Sequence, residues 1–342
     1  MKYFILLLTS IFTLQTYSQY DLDWAAVSGS EINKSIMDKD SNIYVAGNYD
    51  RGTDFDLGPG GVYRGPLGGY DFFVVKLNKN GVFKWVKTFR TNSCTICHDW
   101  VNDLTEDGNE NVILVGDFVW AKKFQNNIFS SGNAKVCVND QNEIYYTTSF
   151  MDSIDADPSS ATLYFTTQSS GTDNILIVKL KSSGILVWEK SIEGTYNTVD
   201  EFIYIDSNSL LLTGKFRGSV DFDIRNSATS LLNSGAATHS YLLKINSDTV
   251  FEFVKEFTTN GTGLNTQDIY RTSDSSILLC GNFVGTADFD PKSTSNSKTA
   301  ANATGDAFIL KLTNSGSFLD AMTFGGAGNY NNSCKSIKED NQ

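Results

Sequence analysis

Short apolar runs separated by polar turns fill the chain from residue 22 onward, and one ordered set of them recurs. "YDFFVVKLNKNG" at 70–81 returns as "DNILIVKLKSSG" at 173–184, "HSYLLKINSD" at 239–248 and "DAFILKLTNSG" at 306–316. Each closes in Lys-Leu or Lys-Ile and then turns. A second segment follows directly: "VFKWVKTF" at 82–89, "ILVWEKSI" at 185–192, "VFEFVKEF" at 250–257 and "SFLDAMTF" at 317–324, with "LDWAAVS" at 22–28 as a lone first copy. A weaker third segment comes next, as in "WVNDLTED" and "QDIYRTSD", and then a fourth such as "NIYVAGNY", "NVILVGDF", "SLLLTGKF" or "SILLCGNF". No long stretch places apolar residues at helical spacing, so the segments predict strands and the chain an all-β fold.

Between a fourth segment and the next first segment one phrase recurs: "AGNYDRGTDFDLGPGG" at 46–61, "TGKFRGSVDFDIRNS" at 213–227, "CGNFVGTADFDPKS" at 280–293 and, worn, "TTSFMDSIDADPSS" at 147–160. The unit is about 67 residues long, and four antiparallel strands joined by polar turns describe a β-propeller blade. One such sheet cannot cover both its apolar faces, whereas neighbours packed around an axis do so for each other. Trp24, Trp85, Trp188, Phe253 and Asp320 share one position in the repeat, which reads them as inter-blade core rather than as sugar-stacking platforms. The expectation is about six blades, within five to seven. Two fourth segments lie only about 32 residues apart between Gly116 and Thr148, half the period. One blade near 118–150 should therefore be irregular, with "NAKVCVNDQNEIYYTTSF" as a third-to-fourth hairpin whose first two strands are missing or replaced by "VWAKKFQNNIFSS". The chain opens at a second segment, and "NNSCKSIKEDNQ" stops where a third should turn into a fourth. These features predict a truncated chain, an incomplete last blade and a ring left unclosed.

The N-terminus adds a destination. "MKYFILLLTSIFTLQTYSQ" carries Lys2, an apolar run from Tyr3 to Leu14, and the small residues Thr16 and Ser18, the pattern of a secretory signal peptide over 1–18 ahead of a propeller domain over 19–342. The run is shorter than the roughly 20 residues a bilayer span needs. The mature chain is expected to be secreted or at the cell surface, monomeric, and without a transmembrane span. A formal charge of −12 argues against nucleic acid, which is bound through clustered Lys and Arg. Five Cys, at 94, 97, 137, 280 and 334, are too few and odd in number for a disulfide scaffold. Cys137 and Cys280 lie within strands and read as small buried hydrophobes.

Taken together, "DFDLGPGG", "GGYDFFVVKLNKNGVFKWVKTF" and "SNIYVAGNY" resemble the SBBP-type β-propeller repeats of secreted bacterial proteins, particularly of the Bacteroidetes group, over nearly all of residues 20–342. The resemblance implies a propeller fold and says little about activity. It also implies that related proteins often carry a C-terminal sorting domain, which this sequence does not show.

In an extended Asp-Phe-Asp segment the Phe points one way and both carboxylates the other. Phe55, Phe222 and Phe289 would anchor in the core. The pairs Asp54/Asp56, Asp221/Asp223 and Asp288/Asp290, with Asp155/Asp157 in the worn copy, would stand near the surface. Such carboxylates either cap turns through backbone N–H groups or, with loop carbonyls, hold Ca²⁺. The turns "DKDSNI" at 38–43 and "EDGNEN" at 106–111 imitate part of a calcium loop but lack its central Gly and distant Glu, so they read as turns. "CTICH" at 94–98 matches the c-type haem signature, with Cys94 and Cys97 as thioether sites and His98 as axial ligand; a local disulfide or two free thiols is the competing reading. Gly-x-Ser-x-Gly, His-Glu-x-x-His and a phosphate loop are all missing from the sequence. The expected function is a non-enzymatic binding or adhesion scaffold for an extracellular protein or glycan, with no cofactor. A carbohydrate-active propeller enzyme, a glycoside hydrolase or lyase, is the alternative.

Overall fold

The computed structural model describes residues 30–56, 58, 60–66, 70–89, 100–107, 111–117, 134–157, 163–167, 172–205, 208–225, 230–261, 263–292, 295–326 and 332–339. The signal-peptide segment, Trp24, "VWAKKFQNNIFSS" and "CTICH" lie outside these residues. Every regular element among the described residues is a β-strand, and no helix among them is long and apolar enough to cross a membrane. The chain divides into two compact units, residues 1–123 and 124–342.

The first unit holds sheet I: β1 (Glu31–Met37), β2 (Ile43–Tyr49), a short ribbon of β3 (Thr53–Asp54) and β4 (Tyr63–Arg64), β5 (Asp71–Leu77) and β6 (Phe83–Phe89). A hairpin of β7 (Trp100–Glu106) and β8 (Val112–Asp117) completes it. The second unit begins with sheet II: β9 (Lys135–Val138), β10 (Ile144–Phe150), the ribbon β11 (Ser153–Asp155) and β12 (Tyr164–Thr166), β13 (Asn174–Leu180) and β14 (Leu186–Ile192). Sheet III follows: β15 (Tyr196–Asn197), β16 (Glu201–Ile205), β17 (Ser209–Arg217), the ribbon β18 (Ser219–Asp221) and β19 (Leu231–Asn233), β20 (His239–Asn246) and β21 (Phe251–Phe257). Sheet IV contains β22 (Leu264–Arg271), β23 (Ile277–Phe283), the ribbon β24 (Thr286–Asp288) and β25 (Ser297–Thr299), β26 (Asp306–Leu312) and β27 (Phe318–Phe324).

These are blade-like antiparallel sheets, but their phase differs from the sequence count. The hydrogen-bonded orders β1-β2-β5-β6, β9-β10-β13-β14 and β22-β23-β26-β27 join a third and fourth segment to the first and second that follow. The Asp-Phe-Asp phrase thus stays inside one sheet, and the link from second to third segment crosses to the next. Because the strands alternate in direction, both links leave from the same end of a sheet's strands. Among the described residues there are three four-stranded sheets, the five-stranded sheet III in which β15 and β16 both pair β17, one hairpin and the four ribbons, and the count of about six blades is not supported by them. The C-terminal "NNSCKSIKEDNQ" adds no strand over its described residues 332–339, and "LDWAAVS" lies outside the described residues.

The core lies between the sheets. In the first unit Tyr44, Ala46, Phe72 and Val74 pack with Val101 and Leu104 of β7, and Trp85 lies alongside. In the second, Tyr145, Ile175 and Ile177 of sheet II meet Phe202, Leu212 and Tyr241 of sheet III with Trp188 alongside, and Leu211 and Leu242 meet Ile269, Leu279 and Phe308 of sheet IV with Phe253 alongside. Each large side chain so buried contributes roughly 1.5–3 kcal/mol of transfer free energy. The register explains the shared repeat position: Trp85, Trp188, Phe253 and Asp320 stand opposite Lys76, Lys179, Lys244 and Lys311, and a bulge follows each pair. These lysines end on acids, Lys76 on Asp38 at 3.6 Å, Lys179 on Glu143 at 2.8 Å, Lys244 on Glu252 at 3.2 Å and Lys311 on Asp274 at 3.0 Å.

A second recurrent feature is a bulge in the third segment. The register slips between Ile32 and Lys34, Val101 and Asp103, and Thr266 and Asp268. The bulged strand pushes a carbonyl over the facing glycine of the fourth segment. A Cβ on Gly47, Gly214 or Gly281 would sit 2.0, 1.8 or 1.9 Å from the carbonyl oxygen of Glu31, Thr198 or Asn265. The worn copy has Thr148 at this place, and its β9 starts at Lys135, just past where the bulge would fall.

The residue after the bulge carries a charge in each sheet. Lys34, Asp103, Lys135, Glu201 and Asp268 stand opposite Ala46, Val115, Thr147, Thr213 and Cys280. They pair from one third segment to the next, Lys34 with Asp103 at 3.5 Å in the first unit and Lys135 with Glu201 at 3.6 Å in the second.

Candidate functional site

The Asp-Phe-Asp phrases build the four ribbons, and the first carboxylate of each closes its ribbon. Oδ1 of Asp54 accepts the N–H groups of Asp56 at 3.1 Å and Val62 at 2.6 Å. Asp155 takes Asp157 and Leu163 at 3.1 and 2.8 Å, Asp221 takes Asp223 and Ser230 at 3.0 and 2.8 Å, and Asp288 takes Asp290 and Asn296 at 3.1 and 2.8 Å. One oxygen thus spans both strands of the ribbon, where an unpaired N–H would otherwise face partly buried surroundings.

The second carboxylate turns to the next bend. Asp56 accepts from Gly58 N–H at 2.9 Å and Asp290 from Lys292 N–H at 3.1 Å. Asp223 is buried and bound by Arg225 through Nε at 2.8 Å and Nη2 at 2.5 Å. These guanidinium bonds hold its carboxyl below the usual carboxylate range, against the opposing effect of burial.

The expected orientation holds for the phenylalanines. Phe55 packs on Tyr49 and Phe73, Phe222 on Phe216 and Tyr241, and Phe289 on Phe283 and Phe308, with ring centroids 4.7–5.5 Å apart. Ala156 fills the same buried place in the worn copy. The strands β3, β18 and β24 end at the first Asp, and the Phe that follows still donates its N–H across the ribbon, Phe55 to Val62 O, Phe222 to Ser230 O and Phe289 to Asn296 O. Among the described residues no group of three or more His, Cys, Asp or Glu is gathered as a metal would need.

"DKDSN" and its equivalents are turns of one kind. Asp38 Oδ1 accepts from Asp40 and Asn42 N–H, Asn78 from Asn80 and Val82, Asn139 from Gln141 and Glu143, and Asn246 from Asp248 and Val250. The fourth residue of each turn is left-handed, at Ser41, Gly81, Asn142 and Thr249. Asp107 likewise accepts from Asn111 N–H at 2.9 Å.

What the ribbons present outward is also repeated. Opposite each closing Asp stand Tyr63, Tyr164, Leu231 and Ser297. The first three are exposed by 71%, 45% and 63%, unusual for large apolar side chains at one repeated position. His239, the only His besides His98, has Nδ1 2.7 Å from Glu256 Oε1.

No family model matches the chain, and no curated protein does so at a significant level. Its likeness is to solved structures, and it is loose. A mutant of the Synechocystis apocarotenoid oxygenase superposes with a TM-score of 0.38 at 11% identity, over 86% of this chain and 68% of that one. A chimera of that oxygenase with RPE65 gives 0.37 at 10% identity, over 86% and 69%. The extracellular domain of a proposed hybrid two-component system from B. thetaiotaomicron gives 0.16 at 12% identity, over 97% and 64%. Scores this low lend no activity to the chain.

Sequence reading missed one linkage. Cys280, expected as a buried small hydrophobe, is buried but joined to Cys334 in a disulfide across 54 residues. Cys137 is a buried free thiol, as its place within a strand implied. Strand position alone gives no hint that the C-terminal segment returns to β23.

Proposed function

We propose that this protein is a secreted or cell-surface β-propeller of the SBBP-repeat kind that binds an extracellular protein or glycan through its ribbons and has no catalytic role. The observation that carries the reading is a repeated outward position: Tyr164 and Leu231 in the second unit, and Tyr63 at the equivalent place in the first, stand exposed on two-stranded ribbons whose first carboxylate is taken up by backbone N–H groups. Aromatic and apolar side chains held on a fixed frame give contact area at little entropic cost. Calcium at the Asp pairs and a c-type haem at Cys94, Cys97 and His98 are secondary readings. A chelator that lowers the melting midpoint would establish the first, and a haem absorbance band after periplasmic expression the second.

The test is glycan-array and surface-protein capture with the mature chain and a Tyr63→Ser/Tyr164→Ser/Leu231→Ser variant. Binding lost in the variant at an unchanged melting midpoint supports the reading. Binding that survives the triple change, or turnover of a captured glycan, overturns it.

A further inference from the structure

Residues 332–339 form a strap along β22. Cys334 N–H donates to Gly281 O at 3.1 Å and Asn332 N–H to Gly305 O at 3.2 Å. Asp268, buried on β22, accepts from Ser336 Oγ at 2.6 Å and Ile337 N–H at 3.0 Å, with Lys338 Nζ at 3.8 Å. Lys335 reaches Gln267 at 3.3 Å, Lys338 lies 4.8 Å over the Tyr270 ring, and Glu339 accepts from Ser273 N–H at 2.6 Å.

The strap repeats a third segment in sequence, since Lys335-Ser336-Ile337 matches Lys34-Ser35-Ile36 of β1. Lys338 lies against Asp268, which occupies the charged position after the bulge, as Lys34 lies against Asp103, whereas Lys335, the match of Lys34, reaches Gln267 instead. Unlike the β-strands it has no ladder of its own. Apart from the disulfide, its attachments are mostly single polar contacts at partly exposed positions, each of which contributes modestly in water.

We propose that the Cys280–Cys334 disulfide is a redox-operated latch that holds this strap over Asp268 and Tyr270. Cys280 is fully buried within sheet IV, whereas Cys334 is partly exposed. A thiolate of a dithiol reductant therefore attacks Sγ of Cys334. The S–S bond breaks, Cys280 departs as a thiolate and takes up a proton, and the second thiol of the reductant displaces Cys334 while closing its own disulfide. Two electrons pass to the protein, two thiols result, and the strap is left to its polar contacts. Cys280 stays in its strand as an apolar thiol, so sheet IV keeps its packing.

Hydrogen exchange followed by mass spectrometry on the full chain tests this, after non-reducing peptide mapping. The expected results are a cross-linked Cys280–Cys334 peptide in the oxidised protein and, with dithiothreitol, exchange at least tenfold faster in 332–339 with 264–271 and 239–246 unchanged. Cys334→Ser should reproduce the pattern without reductant, which separates it from any reduction at Cys94 and Cys97. If that variant does not fold, wild type reduced and then alkylated in the folded state supplies the same comparison. Free thiols at both positions after oxidative purification, or unchanged exchange in the strap on opening the bond, would overturn the proposal.

Discussion

Asp288 and Asp290 differ by two positions and have unlike duties. Asp288 holds two backbone N–H groups on one oxygen, one from each side of its ribbon, whereas Asp290 serves a single exposed bend. Asp288→Ala is expected to cost about 1–3 kcal/mol by stranding both donors, and Asp290→Ala no more than about 0.5 kcal/mol. Urea midpoints of the two variants check the difference. A pH effect belongs to Asp223. Its folded-state pKa lies below the unfolded value near 3.9, so its contribution is present above that pH and disappears as the pH falls through the folded value. Arg225→Gln removes the guanidinium bonds and should move the acid-unfolding midpoint, followed by circular dichroism, to higher pH. Unchanged acid unfolding would show that Arg225 does not set it.

At the scale of strands and turns, residue type and conformation agree in most places. The apolar runs ending in Lys-Leu, the polar turns and the buried phenylalanines could all be read from periodicity and turn chemistry. The phase of the repeat could not, because a run of four strands has no mark for where one sheet ends. Residue type at the Asp pairs does not show which carboxylate closes the ribbon, because that depends on the partner N–H eight or nine residues on. Gly47, Gly214 and Gly281 look like ordinary strand glycines in the sequence, yet each faces a bulged carbonyl. Gly281→Ala places Cβ 1.9 Å from the Asn265 oxygen, so backbone must shift. A loss of about 3 kcal/mol or more is expected, read as a fall in thermal midpoint and soluble yield. Ala at Gly326, with open space around it, is the control.

Across the molecule, charges at the position after the bulge match neighbouring sheets to each other. In the second unit Lys135 of sheet II meets Glu201 of sheet III, and Glu201 is almost fully buried. Lys135→Glu sets two carboxylates against each other and should destabilise by about 3 kcal/mol, as breaking a buried pair does. The double exchange Lys135→Glu/Glu201→Lys should recover at least half of that loss. Chemical denaturation of the wild type, both single variants and the double variant measures the coupling, and additive losses would deny the pairing.

The ribbons bear on how such a chain grows. Each is closed by an Asp that takes N–H groups from both sides of its own phrase, so a duplicated stretch of gene arrives with that closure built in. Unequal crossing-over at the polar turns would insert or delete an entire sheet and leave the stitching of every other sheet intact. Only the flanking contacts would have to adjust. Among natural variants of this chain, length should therefore change in whole repeats, while a ribbon interrupted between its Asp and the N–H eight or nine residues on should be selected against.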